Sequence, residues 1–293
     1  MQPSRSTLAP SATYGEILRI GRQRPLVCVS ILARSRREVL RSLRRASKLG
    51  SDLAEFGIDA LQSLNKEVVS EIISASPLPL IVTNRNKLNK GYFPAEKERL
   101  RLSFLLSSIE SKPAFVDIEI DTKEPERSQL IRTAKSQGVG VIASYHDFET
   151  TPNTNRLLEI YKEASHTKAD LVKLVFTPRS NKDVLSILQA AEFLGSDKTP
   201  YTIFGMGEHG KITRVLSPLL GSCLTYCSLN EPTSNFGQLS VTDVKSVFDV
   251  LGSKRGWKSI RKDHKEVMDS IIRELLSKED YGLLYNPAKL FGI

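Results

Sequence analysis

Residues 169–176 read Ala-Asp-Leu-Val-Lys-Leu-Val-Phe, a short apolar run with a lysine near its centre. Such a run is typical of a buried β-strand, whose alternation places Val172, Leu174 and Phe176 on one face and Lys173 on the other. Burial disfavours the ammonium form, so we expect a lowered pKa and a neutral, nucleophilic amine at Lys173 near neutral pH. A neutral amine can attack a ketone and form a Schiff base. The alternative is a strand lysine that reaches solvent or pairs with a carboxylate.

Strand-like and helix-like segments alternate on both sides of this run. Apolar runs typical of strands begin near Leu26, Leu53, Leu80, Phe115, Val139, Leu171, Tyr201 and Cys223. Segments with helical periodicity follow them at residues 36–48, 62–74, 95–110, 127–137, 153–166, 181–194, 209–219 and 241–251. Eight β/α units in about 225 residues predict an α/β fold, a (β/α)₈ barrel of the TIM type over residues 26–252. An open, doubly wound sheet is the alternative, because periodicity does not show whether a sheet closes.

One face of several predicted strands carries polar side chains. The apolar face belongs against the outer helices, so the polar face points into the barrel and includes Ser30, Glu55, Asp59, Thr83, Arg85, Asp117, Glu119, Asp121, Ser144, His146 and Lys173. Barrel interiors are normally filled with valine, isoleucine and leucine. Buried polar groups are costly unless they satisfy one another or bind something. We therefore predict a cavity for a polar ligand, with His146 and Lys173 on its wall.

The glycine run Gly205-Met-Gly207-Glu-His-Gly210 follows a predicted strand and opens a helix. It superficially matches a dinucleotide-binding motif, but that motif usually opens its domain, whereas about 200 residues precede this one. We expect these glycines to allow close approach of backbone segments at the barrel mouth instead.

The net charge of +9 is concentrated at the ends of the chain, since residues 1–25 and 253–293 carry +3 each. The 227 residues between them carry only the remaining +3, which suits an anionic small substrate better than a nucleic acid. No apolar stretch approaches the ~20 residues that span a bilayer. Cys28, Cys223 and Cys227 lack disulfide or zinc-site spacing and fit a reducing compartment. We therefore expect a cytoplasmic protein without nucleic-acid or membrane partners.

The two ends of the chain lie outside the predicted barrel. Residues 1–25 lack the apolar core of a secretory signal, and they predict a flexible leader that runs into a short helix. In residues 253–293, apolar side chains recur at helical spacing between Ile260 and Leu276, which predicts a helical extension. The apolar residues 281–293 are expected to pack on the barrel or on a partner subunit, and a homodimer is one such arrangement.

The motifs together resemble the type I 3-dehydroquinate dehydratases, Schiff-base enzymes of the shikimate pathway. The resemblance begins with Asp117-Ile-Glu-Ile120, which is followed after twenty residues by Val141-Ile-Ala-Ser-Tyr-His-Asp147. It continues through the Lys173 strand and covers residues 26–252. The other matching motifs are Thr151-Pro152, Met206-Gly207, Arg214, Gly221-Ser222 and Ser234-Asn-Phe-Gly-Gln238.

The resemblance implies that Lys173 attacks the C3 ketone of 3-dehydroquinate to form an imine. His146 would then remove the C2 proton and protonate the departing C1 hydroxyl, which gives 3-dehydroshikimate. Arg214 resembles the family's clamp for the substrate carboxylate. The full predicted substrate-binding set is Ser30, Glu55, Arg85, Arg214, Ser234 and Gln238. No metal or organic cofactor is implied, because the iminium serves as the electron sink.

Two positions depart from the family pattern. Gly57 stands where family members commonly carry an arginine, and Asn89 stands where they commonly carry a glutamate. The first departure removes a cation that binds substrate, and the second removes a carboxylate near His146. These departures support one alternative, a catalytically silent barrel that binds a shikimate-pathway metabolite or serves as a scaffold. Another class I Schiff-base enzyme of the aldolase type is a further alternative, although the motif from Ser234 to Gln238 argues against it.

Overall fold

A computed structural model of the chain describes residues 8–229 and 237–257. It has eight parallel strands: β1 (Leu26–Ile31), β2 (Leu53–Gly57), β3 (Leu80–Thr83), β4 (Phe115–Glu119), β5 (Gly140–His146), β6 (Leu171–Phe176), β7 (Tyr201–Gly205) and β8 (Leu224–Cys227). Its helices are α1 (Tyr14–Gln23), α2 (Arg36–Lys48), α3 (Lys66–Ser74), α4 (Glu98–Glu110), α5 (Glu126–Ser136), α6 (Thr154–Ser165), α7 (Asn181–Leu194), α8 (Gly207–Gly210), α9 (Thr213–Leu219) and α10 (Val241–Arg255). The predicted (β/α)₈ architecture is confirmed.

The strands follow one another around the ring in the order β7-β6-β5-β4-β3-β2-β1-β8. Parallel backbone ladders join these neighbours, whereas the seam between β7 and β8 relies partly on side chains. At the seam the Cys223 N–H donates to the Tyr201 carbonyl over 2.8 Å. The Thr202 hydroxyl donates to the Leu224 carbonyl over 2.8 Å, and the Ile203 N–H donates to Ser222 Oγ over 3.1 Å. The sheet therefore closes, which excludes the open, doubly wound alternative.

Helix α1 packs against the amino-terminal end of the barrel. Thr13 caps this helix and forms a reciprocal capping box with Glu16, which satisfies backbone groups that would otherwise lack partners. Ile17 is fully buried in the inner apolar layer, and the Tyr14 ring meets Phe115 edge-on with 6.1 Å between centroids. The leader that we predicted over residues 1–25 thus includes a helix that contributes to the core.

The outer helices bury one apolar face against the strands and leave the other face in solvent. In α2, Val39 and Leu43 are fully buried, while the arginines of the helix are exposed, as its periodicity predicts. The predicted helix 209–219 is instead two helices, α8 and α9. A Cβ atom on Gly210 would overlap the backbone of Gly205, so these glycines bring α8 into close contact with the end of β7, as expected.

The described part of the chain ends just beyond α10, which continues past the predicted barrel boundary at residue 252. Trp257 packs edge-on against Phe248 with 5.1 Å between ring centroids. The predicted helical extension lies almost entirely in residues 258–293, outside the described residues. Among the described residues, no helix is long and apolar enough to cross a membrane, and no group of three or more potential metal ligands occurs. Cys28, Cys223 and Cys227 are buried and form no disulfide bond.

Candidate active site

A cavity opens at the carboxyl ends of the strands, where the βα loops of a barrel meet. Its empty volume is about 760 Å³ with the open mouth included. All but one of the predicted site residues line this cavity, namely Ser30, Glu55, Arg85, His146, Lys173, Arg214 and Gln238. The exception, Ser234, lies outside the described residues. Gln238 Nε2 donates to Ser30 Oγ over 3.1 Å, so the segment before α10 is tied to the end of β1.

Lys173 lies on β6 with only 3% of its side chain exposed. Its Nζ atom is 2.6 Å from Glu55 Oε2 and 3.0 Å from Asp117 Oδ2. The amine also lies over the ring of Tyr226, 4.4 Å from the centroid. Ser144 Oγ donates to the other Asp117 oxygen over 2.5 Å and so fixes that carboxylate. The ammonium is therefore paired on two sides inside the barrel.

Pairing with two carboxylates reverses the effect that burial alone would have on the pKa of Lys173. Burial acts to lower the pKa of Lys173, but the charges of Asp117 and Glu55 outweigh it and raise the pKa above its ordinary value. Burial likewise acts to raise the pKa of Asp117, but Lys173 and Arg85 outweigh it and lower that pKa. The predicted neutral amine is therefore wrong for the cavity without substrate. Lys173 is an ammonium there and must lose a proton before it can attack a ketone.

His146 is the last residue of β5, and its ring stacks on Phe148 with 5.7 Å between centroids. Burial lowers its pKa well below the ordinary value, and the charges of Arg85 and Lys173 lower it further. The imidazole is consequently neutral near neutral pH. A neutral imidazole beside a lysine can accept a proton from a substrate that reaches both.

Arg85 follows β3 and belongs to a buried charge network behind the cavity wall. Its Nε atom lies 3.4 Å from Glu119 Oε1, and Arg101 Nη1 lies 3.4 Å from Glu119 Oε2. Burial raises the pKa of Glu119 to about 7, helped by Asp117 and Asp121 and opposed by both arginines. The sequence reasoning did not single out Arg101. The available signal was an arginine among the buried apolar positions of α4.

Arg214 lies on α9, and its side chain is buried within the barrel wall. Its guanidinium carbon is 4.5 Å from the Phe204 ring centroid, and Nη1 donates to the Tyr226 carbonyl over 3.3 Å. Burial lowers the pKa of Arg214 to about 10, so the group keeps its positive charge near neutral pH. A fixed, poorly hydrated guanidinium at the edge of the cavity suits a substrate carboxylate.

The structure shows what occupies the space at the two departures from the family pattern. A Cβ atom on Gly57 would overlap the end of the Leu32 side chain, which lines the cavity mouth. Asn89 also lines the cavity, and its Nδ2 donates to Asp121 Oδ2 over 3.3 Å. The cavity wall therefore has an aliphatic group and an amide where family members commonly carry an arginine and a glutamate.

Comparison with known proteins agrees with this geometry. The family model described as type I 3-dehydroquinase matches residues 27–255. The chain belongs to the type I 3-dehydroquinase family. It is 37% identical to the 3-dehydroquinate dehydratase of Methanosarcina barkeri over 214 residues, which cover 71% of this chain and 88% of that protein. It is 30% identical to the 3-dehydroquinate dehydratase of Methanocaldococcus jannaschii over 233 residues, which cover 78% of this chain and all of that protein.

Solved structures of the family share the fold. The 3-dehydroquinate dehydratase of Geobacillus kaustophilus superposes with a TM-score of 0.71 at 26% identity, covering 79% of this chain and 92% of that one. The type I enzyme of Clostridium difficile, solved with covalently modified comenic acid, gives 0.73 at 24% identity, with coverage of 80% and 94%. The family identified from the sequence motifs is thus confirmed.

Proposed function

We propose that this protein is a lyase that dehydrates 3-dehydroquinate to 3-dehydroshikimate through a Schiff base on Lys173, a step of the shikimate pathway. One observation carries the proposal: a buried ammonium 2.6 Å from a carboxylate lines the same cavity as a neutral imidazole. Family membership supports the identity of the substrate. The arrangement supplies a nucleophile, an acceptor for its proton and a separate base.

The reaction begins when the Lys173 ammonium loses a proton, and Glu55 is placed to accept it. The free amine attacks C3 of the substrate, and loss of water from the carbinolamine leaves a protonated imine. This iminium withdraws electrons from C2, so neutral His146 can remove the C2 proton. His146 then returns a proton to the C1 hydroxyl as it leaves, and water hydrolyses the imine to release product and amine.

The remaining cavity residues bind and orient the substrate in this proposal. Arg214 binds the carboxylate, and Arg85 with Glu55 holds the ring hydroxyls. Ser30 and Gln238 bind beside them, together with Ser234 by its resemblance to the family motif. Such positioning matters because correct orientation of reacting groups supplies a large share of the rate acceleration in enzymes.

Borohydride trapping tests the covalent step. Borohydride added with product should inactivate the protein and leave a stable adduct on Lys173, located by peptide mass mapping. Lys173→Ala should abolish the adduct and, with 3-dehydroquinate as the substrate, the rise in ultraviolet absorbance as the conjugated product forms. Lys90→Ala is the matched control, because Lys90 is the other described lysine that lines the cavity, and this variant should still form the adduct.

Three outcomes would overturn the proposal. An active enzyme whose adduct lies on a lysine other than Lys173 would refute the assignment of the nucleophile. Product binding without any adduct and without turnover would favour the silent barrel instead. An aldolase-type enzyme would form an adduct with other ketones and leave 3-dehydroquinate unchanged.

A further inference from the structure

Tyr226 on β8 points into the cavity and has an unusual hydroxyl group. The residue is 2% exposed and lines the cavity. Its hydroxyl makes no hydrogen bond of normal geometry among the residues that the structure describes, although the Glu55 carboxylate interacts with it. Buried hydroxyls in folded proteins nearly always make such a bond. A partner that arrives with the substrate would account for this group, which the apolar run Leu-Thr-Tyr-Cys of β8 did not reveal.

The position of Tyr226 relative to the nucleophile is specific. Lys173 Nζ lies 4.4 Å from the centroid of the tyrosine ring. The carboxylate of Glu55 bonds Nζ over 2.6 Å and also faces the phenol hydroxyl, although not at the geometry of a normal hydrogen bond. Nζ and the hydroxyl therefore flank one carboxylate. Lys173 and Tyr226 line the same cavity, so a ketone that reaches Nζ lies beside the tyrosine ring.

We propose that the Tyr226 hydroxyl is a further catalytic group, which donates a hydrogen bond to the C3 oxygen of the substrate while Lys173 adds to the ketone. The inference rests on the proposed Schiff-base function and extends it to a residue outside the predicted site. As the bond between Nζ and C3 forms, the carbonyl electron pair moves onto the oxygen. A neutral donor aimed at that oxygen stabilises the developing charge.

The proton balance of the step does not require Tyr226 to ionise. Of the three ammonium protons of Lys173, one passes to Glu55 and a second moves from nitrogen to the C3 oxygen. Glu55 then returns its proton to the same oxygen, which leaves as water, and the third proton remains on the iminium. Tyr226 keeps its own proton throughout. Burial, and next the charge of Glu55, raise the pKa of Tyr226 well above its ordinary value, so it stays a donor.

Tyr226→Phe tests the inference because it keeps the ring under Lys173 and removes only the hydroxyl. In single-turnover experiments quenched with borohydride, the rate of imine formation should fall about 100-fold, the effect typical for loss of one donor to a developing oxyanion. Tyr14→Phe is the matched control, since Tyr14 packs against Phe115 at the opposite end of the barrel. It should form the imine at the wild-type rate.

The outcomes separate this inference from the function on which it rests. No adduct in the wild-type protein would refute the Schiff-base function itself, whatever the variant does. An adduct that forms equally fast in wild type and Tyr226→Phe would overturn the role of Tyr226 and leave the function standing. A variant that forms the imine at the normal rate but dehydrates slowly would also overturn it, because the hydroxyl would then act after the addition step.

Discussion

Replacement of Glu119 by glutamine should remove a pH dependence from the free energy of unfolding. Glu119 is 5% exposed, and burial raises its pKa from an ordinary value of 4.5 to about 7. Between these two values the unfolded chain releases the proton while the folded protein keeps it. The wild-type fold therefore loses stability as the pH rises through this window. The difference between 4.5 and about 7 corresponds to about 3 kcal/mol.

Glutamine keeps the shape of the protonated carboxyl group and cannot ionise. Urea unfolding at pH 5 and pH 8 gives the free energy of unfolding of each protein. The value for Glu119→Gln minus the value for wild type should be about 2–3 kcal/mol larger at pH 8 than at pH 5. Glu98→Gln is the control, because Glu98 also pairs with Arg101, which lowers its pKa. Glu98 is then ionised in both the folded and the unfolded protein from pH 5 to pH 8. The free energy of unfolding of Glu98→Gln should therefore differ from that of wild type by the same amount at both pH values.

A stability difference between wild type and Glu119→Gln that stays constant from pH 5 to pH 8 would refute the reasoning. Arg85 and Arg101, each 3.4 Å from the carboxylate, would then hold Glu119 ionised across the whole range. The network would be a permanent ion pair.

Two further predictions concern the departures from the family pattern. Asn89→Glu should move the acid limb of the kcat/KM profile to higher pH, because a carboxylate would oppose the Arg85 and Lys173 charges that lower the pKa of His146; an unmoved limb would contradict this account. Gly57→Arg alone should fail to lower KM because Leu32 occupies the space, whereas Gly57→Arg combined with Leu32→Ala should lower it. Equal KM values for the single and double variants would show that Leu32 is not the obstacle.

The fold was predictable because each β/α unit can be recognised from residues that are close together in the sequence. Strand β5 begins at Gly140 and β8 at Leu224, each one residue from the predicted start, since apolar runs and helical periodicity are properties of neighbouring residues. Helix 209–219 was predicted as one element because periodicity carries no information on backbone packing. The contact between Gly205 and Gly210, which holds α8 against the end of β7, is visible only in the folded structure.

The ionisation state of the site was not predictable by the same reasoning. Alternation placed Lys173, Glu55 and Asp117 on the barrel interior but contained no distances. The two carboxylates that raise the pKa of Lys173 are 118 and 56 residues away along the chain. This pKa shift depends on contacts of 2.6 and 3.0 Å between side chains on different strands. Such contacts exist only once the barrel has closed. The contact of the Leu32 side chain with the space beside Gly57 is a second feature that only the folded structure shows.

The seam between β7 and β8 makes tolerance to substitution uneven around the ring. Along the other joins the backbone supplies the ladder, so a changed side chain leaves those bonds in place. At the seam, two of the closing bonds involve the hydroxyls of Thr202 and Ser222. A single substitution there removes a bond between strands as well as a side chain. Thr202 and Ser222 are not among the residues that line the cavity, so substitution at these two small hydroxyl residues should be restricted by closure of the barrel alone.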